Sequence, residues 1–221
     1  MAPAFVNVSA KGSMLTRMAP REGAAQSAVV PAGTDIVIQP DIAPDGTSLL
    51  YGRVRPDGNM DISMHVLGSS AEERSVLSTP AQEAGPRFSP DGAWFVYQSN
   101  ETGSPEIYIR SFPEGDNKQQ VSRGGGYRGV WRRDGKELFY ISPDGDLMAV
   151  PITLAPTVVV GSPQKLFRTP IDPGATLTYF QFDVAADGQR FLMIVPSTDA
   201  PQPVNVILML GIISRLLRAQ G

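Results

Sequence analysis

The sequence predicts an all-β fold made of repeated four-stranded antiparallel units. Three observations carry this expectation: an Asp-Gly corner that recurs at near-constant spacing, a supply of 22 glycines and 20 prolines in 221 residues, and short alternating apolar runs between the corners. Asp-Gly follows an apolar residue and precedes an apolar run in "PDIAPDGTSLLYGRV" (Asp45), "PRFSPDGAWFVYQSN" (Asp91), "GVWRRDGKELFYIS" (Asp134) and "FDVAADGQRFLMIVP" (Asp187), with separations of 46, 43 and 53 residues. That period belongs to β-propeller blades rather than to helical solenoids.

Residues 86–122 show one unit complete. A strand ends at Phe88, "PDG" turns, "AWFVYQS" is a second strand and "NETGS" turns again. "EIYIRSF" is a third strand, "PEGDNK" turns, and "QQVS" is a fourth. "DISMHVLG" and "RSVLST" supply the outer strands of the unit before it, and "DLMAVPI" and "QKLFRTP" those of the unit after it. A weaker copy, "FVNVSAKGSMLTRM", opens the chain with Lys11-Gly12 at its turn. The reading is therefore a single β-propeller domain over residues 1–221, of about five four-stranded antiparallel blades with repeats at about 5–35, 39–80, 86–122, 128–169 and 179–212.

The corner has a stereochemical logic. Proline presets φ at the first central turn position, aspartate caps nearby N–H groups, and glycine accepts positive φ. Ser89-Pro90-Asp91-Gly92 thus reads as a corner repeated because blades repeat, not as a catalytic constellation. The residue before each corner, Ile42, Phe88, Trp131 or Val184, is expected to pack between adjacent blades.

Composition narrows the chemistry. An apolar fraction of 42% suffices for a core, and a formal charge of -3 gives no footprint for nucleic acid. The richest basic cluster, Arg123, Arg128, Arg132, Arg133 and Lys136, falls inside a strand repeat and reads as solvated faces. With no cysteine, disulfides and thiolate chemistry are excluded; with His65 alone, a zinc site would need carboxylate ligands, so neither metal nor cofactor is expected. The opening "MAPAFVNVSAKGSM" has neither the basic nor the apolar region of a secretory signal, and "VNVILMLGII" is half the length of a spanning helix and reads as a buried strand. No membrane insertion is expected.

"FSPDGAWFVYQSNETGSPEIYI", residues 88–109, resembles the TolB-type, WD-repeat-like propeller family, whose hallmark is W/F-S-P-D-G-x-x-I/L-x-Y/F followed by S-N-x-x-G-x-x-x-I/L-Y. Over residues 39–210 the chain is similar to the C-terminal propeller of bacterial extracytoplasmic sensor regions attached to membrane-anchored serine/threonine kinases, although no kinase motif is present. The resemblance implies a non-catalytic binding or sensor role toward a protein, peptide or glycan, in the bacterial periplasm or on the extracytoplasmic face. Such propellers commonly have six blades, so five repeats imply a shortened or truncated form. The first repeat reads as lacking a strand. The C-terminal strand would complete it, or open edges would pair two chains as a homodimer.

Repeat geometry puts the residues before each innermost strand at the channel mouth, as candidates for ligand binding: Gln39 and Asp41, Arg87, Tyr127 and Arg128, Gln181 and Asp183. The glycines of "GGGYRG" are expected to present Tyr127 and Arg128. The rival reading is a hydrolase. Asp61, Ser63 and His65 share one face of a strand and could form an esterase triad, but same-face neighbours lie about 7 Å apart, beyond hydrogen-bond reach. A carboxylate glycosidase would draw on Asp41 and Asp183, with Glu106 and Glu137 as further candidates. "PDGNMD" lacks the register of a calcium loop and reads as a hairpin turn.

Overall fold

The computed structural model describes residues 4–9, 12–17, 27–31, 35–67, 73–154, 157–174 and 181–194. Among them the chain forms eighteen strands, gathered into separate antiparallel sheets in chain order. Among the described residues blade one holds β1 (Ala4–Ser9), β2 (Gly12–Arg17) and β3 (Ser27–Pro31). Blade two is the meander β4 (Ile36–Ile42), β5 (Ser48–Val54), β6 (Met60–Val66) and β7 (Arg74–Leu77). Blade three is β8 (Glu83–Phe88), β9 (Trp94–Ser99), β10 (Glu106–Ser111) and β11 (Lys118–Gln120).

Blade four comprises β12 (Tyr127–Trp131), β13 (Glu137–Ile141) and β14 (Asp146–Thr153), with β16 (Gln164–Arg168) outermost. A two-residue strand, β15 (Val159–Val160), pairs with the far end of β14 and was not anticipated. Blade five shows β17 (Phe182–Val184) and β18 (Phe191–Met193). The expected strand "VNVILMLGI", on which ring closure or edge pairing would depend, lies outside the described residues.

The recurring corner is the same object in every complete repeat. The Gly N–H donates to the carbonyl of the first turn residue: Gly46 to Ala43 at 2.8 Å, and Gly92 to Ser89, Gly135 to Arg132 and Gly188 to Ala185, each at 2.9 Å. The Asp carboxylate accepts the N–H two residues on, from Thr47 at 2.9 Å, Ala93 at 3.1 Å, Lys136 at 3.0 Å and Gln189 at 3.0 Å. At Gly92 φ is 73°, a left-handed conformation that only glycine adopts without steric cost. Successive corners also touch. A Cβ on Gly92 would meet Pro44 of the preceding corner at 3.4 Å, and one on Gly135 would meet Pro90 at 3.7 Å.

Period-2 alternation gives each inner strand two buried faces. Phe88, Phe95, Tyr97 and Tyr108 of blade three join Leu50, Ile62, Met64 and Leu77 of blade two in one cluster. Val96, Ile107 and Ile109 turn the other way and pack with Trp131, Leu138 and Val150 of blade four. Phe139, Ile141 and Leu147 meet Phe182 and Val184 of blade five in a third. Phe88, Trp131 and Val184 therefore sit between blades, as their place before the corners predicts; among the described residues Ile42 packs on Val37, Leu49 and Tyr51, in the strand that lies against blade one. The Trp131 indole N–H donates to the Arg87 carbonyl at 3.2 Å, tying blade four to blade three.

Candidate functional site in the channel neck

The innermost strands lie side by side: β4 against β8, β8 against β12, β12 against β17. They form the channel wall, and three of them share one irregularity. In β4 the register steps from Ile38↔Gly52 to Asp41↔Leu50, so Gln39 and Pro40 together oppose Tyr51. In β8 it steps from Ala84↔Gln98 to Arg87↔Val96, leaving Gly85 and Pro86 opposite Tyr97. In β12 it steps from Tyr127↔Ile141 to Val130↔Phe139, leaving Arg128 and Gly129 opposite Tyr140. Each is a β-bulge, the device that bends a strand and re-aims a side chain.

The first bulge residue is left-handed in all three: φ is 48° at Gln39, 64° at Gly85 and 59° at Arg128. Glycine is the unstrained choice, and blade three has it. Blades two and four carry long polar residues instead, at 6% exposure for Gln39 and 3% for Arg128. In blade five the same position, three residues before the corner-flanking Val184, holds Gln181, also buried at 6%. Among the described residues neither the Gln39 Oε1 nor the Gln181 Oε1 has a hydrogen-bond partner.

A second layer lies two residues further along the strands. The Asp41 carboxylate accepts the Phe88 N–H at 2.7 Å, bridging blades two and three. Arg87 Nη1 stands 3.6 Å from Asp183 Oδ1, linking blades three and five. Burial holds the Asp41 carboxyl above the usual carboxylate range, opposed by the Arg87 guanidinium and the Phe88 N–H and reinforced by the Asp183 charge. Asp41, Arg87 and Asp183 thus sense one another from three blades. Gln39 and Arg128 occupy matching bulge positions beside them, and Gln181 stands just ahead of β17, where Phe182 pairs directly with Met193 without a register step.

Other sequence candidates have different positions. Tyr127 packs against the cluster of Val130, Phe139 and Ile141. The glycines before it form a fastened corner rather than a flexible display: the buried Glu106 carboxylate accepts the Gly125 N–H at 2.9 Å and the Ser122 hydroxyl, and the Gly126 N–H donates to Pro105 at 2.8 Å. Glu106 is thereby committed to holding the chain, and Glu137 is paired with Arg132 beside the corner of blade four. Arg132 also binds Asp134, which holds that carboxyl below its usual range. Ser63 donates to Glu73 and Asp61 is paired with Arg55. His65 lies opposite Leu49 in the β5–β6 register, and among the described residues no hydrogen bond joins it to Ser63 or Asp61. A shallow depression of about 520 Å³ between the corners of blades three and four, reaching Thr153 and Leu154, is separate from the neck. Among the described residues no three His, Cys, Asp or Glu side chains gather as a metal site, and no helix is long and apolar enough to cross a membrane.

The solved structures that resemble this chain agree on its architecture. It is similar to a protein assigned as TolB from Agrobacterium tumefaciens at 20% identity and TM-score 0.59, covering 74% of this chain and 60% of that one. TolB from Acinetobacter baumannii matches at 21% identity and TM-score 0.59, covering 78% and 44%. The fold is that of a TolB-type β-propeller. An oligogalacturonate lyase solved with manganese matches at 14% identity and TM-score 0.62, covering 88% and 56%, so chains with this TolB-type architecture carry unlike functions. The chain spans less than two thirds of each of these relatives. No family model matches the sequence.

Bulges were the element that sequence reading missed. The signal was present: tyrosine stands five residues after the corner glycine in three repeats, at Tyr51, Tyr97 and Tyr140. It is the residue that two bulged residues must share.

Proposed function

We infer that this chain is a non-catalytic recognition module of the bacterial envelope that receives a protein, peptide or glycan ligand at the channel neck. One observation carries the reading: polar side chains from four successive blades stand on or beside the innermost strands, with Gln39, Arg128 and Gln181 buried and Asp41, Arg87 and Asp183 partly exposed next to them. Placement in the envelope rests on the sequence resemblance and on the fold shared with TolB proteins.

A hydrolytic alternative draws on one feature, the raised Asp41 carboxyl near Asp183. With Arg87 between the two carboxylates, the electrostatic arrangement favours a fixed ion network over an acid and base flanking a scissile bond. The test is turnover of aryl esters and aryl glycosides by the protein beside its Ser63→Ala, His65→Ala and Asp41→Asn variants. The expected result is no rate above a boiled control. Activity lost in Ser63→Ala and His65→Ala establishes the esterase, and activity lost in Asp41→Asn establishes the glycosidase.

A further inference from the structure

We propose that Gln39 and Arg128 are specificity-determining residues of the neck and that the group they receive is a neutral saccharide. The proposal rests on the recognition role above and names its ligand. Its first support is strain. A non-glycine residue in the left-handed region is uncommon, and strained backbone persists where a side chain has a task. The same bulge in blade three uses Gly85, so the bulge itself does not require glutamine or arginine.

The second support is unmet hydrogen bonding. The Gln39 and Gln181 carbonyl oxygens are buried without partners among the described residues, and they call for a ligand that brings O–H or N–H donors. Both side chains are nine-tenths buried and stand three residues before the corner-flanking residue of their blades, Gln39 within the β4 bulge and Gln181 just ahead of β17. Two carboxylates, Asp41 and Asp183, balance two guanidinium groups, Arg87 and Arg128, so the neck selects for no net ligand charge.

The third support is what the neck lacks. Protein hot spots are enriched in Trp, Tyr and Arg, and the six neck side chains include Arg87 and Arg128 but no aromatic residue. Here Tyr127 is packed into the core between blades four and five, and the six neck side chains are all polar. Planar amide, carboxylate and guanidinium groups suit neighbouring hydroxyls, each of which donates and accepts.

The experiment titrates the protein calorimetrically with neutral tetrasaccharides built from glucose, mannose and N-acetylglucosamine, and with an unstructured hexapeptide library. Gln39→Gly, Arg128→Gly and Arg128→Asn variants are compared, asparagine being included because it tolerates the left-handed region. Saturable binding of at least one tetrasaccharide is expected, weakened at least tenfold in each variant. Melting temperatures of the glycine variants are expected to stay level or rise by about 2–4 °C. If the wild type binds none of the saccharides, the saccharide assignment falls. Peptides bound and then lost on Arg128→Gly would retain the recognition role while overturning its ligand. If both glycine variants melt well below wild type, Gln39 and Arg128 serve the fold, and their assignment as specificity residues is overturned whatever binds.

Discussion

The rim corners and the neck bulges both repeat from blade to blade, but they repeat differently. At the corners the residues recur with the geometry: Asp-Gly at Asp45, Asp91, Asp134 and Asp187, with the same pair of hydrogen bonds each time. At the bulges the geometry recurs and the residues change, from Gln39 to Gly85 to Arg128. Where backbone stereochemistry alone sets the demand, one solution serves every blade. Where the side chain is free to vary inside a fixed backbone, the variation is the part available to ligands.

The comparison can be broken by substitution. The largest effect is expected between the two regions, in the packing that supports both. Phe95 is fully buried between blades two and three, and Phe95→Ala should destabilise by about 3–5 kcal/mol in urea unfolding. Next comes the rim: Gly92→Ala forces a Cβ into a left-handed position over Pro44 and should cost about 1–2 kcal/mol. The sign should be opposite to that of Gln39→Gly in the neck; equal signs would end the distinction drawn here. Asp91→Ala removes an acceptor from the Ser89 hydroxyl and the Ala93 N–H, and about 0.5–1.5 kcal/mol should be lost.

The smallest effect should appear in the neck as a pH dependence. Burial raises the Asp41 carboxyl in the folded state, so the folded form is penalised when that carboxyl is ionised. Asp41→Asn should therefore stabilise the protein at neutral pH. The advantage should shrink as pH falls through the raised folded value and vanish below the unfolded value of about 3.9. Paired thermal melts from pH 7 to pH 3 measure it, and an advantage that grows toward acid would reverse the assignment.

Much of the blade plan was legible because it follows local rules. Ser-Pro-Asp-Gly names its own turn, and alternation around "WFVYQS" and "EIYIRS" names the faces of β9 and β10. The neck residues were also legible, since one residue before Ile42, Phe88 and Val184 is a fixed place on a period-2 strand. The bulges were not, because a two-against-one step leaves no composition signature when its left-handed residue is Gln39 or Arg128. Gly85 alone had the expected residue type. How "GGGYRG" is fastened was not legible for a related reason. Glycine marks both freedom and tight approach, and only the Glu106 carboxylate beneath Gly125 distinguishes them.

The alternation of β9 has one further consequence. Phe95 and Tyr97 face blade two, while Trp94 and Val96 face blade four, so blade three has no interior of its own. The unit that repeats in the sequence and the unit that excludes water are out of phase by half a step: the three largest hydrophobic cores each straddle a repeat boundary. A lone blade would be a sheet with two wetted apolar faces, and its inheritance as a duplicable module depends on the next copy arriving with the same pattern. Cooperativity in this chain therefore belongs to the junctions, passed from neighbour to neighbour.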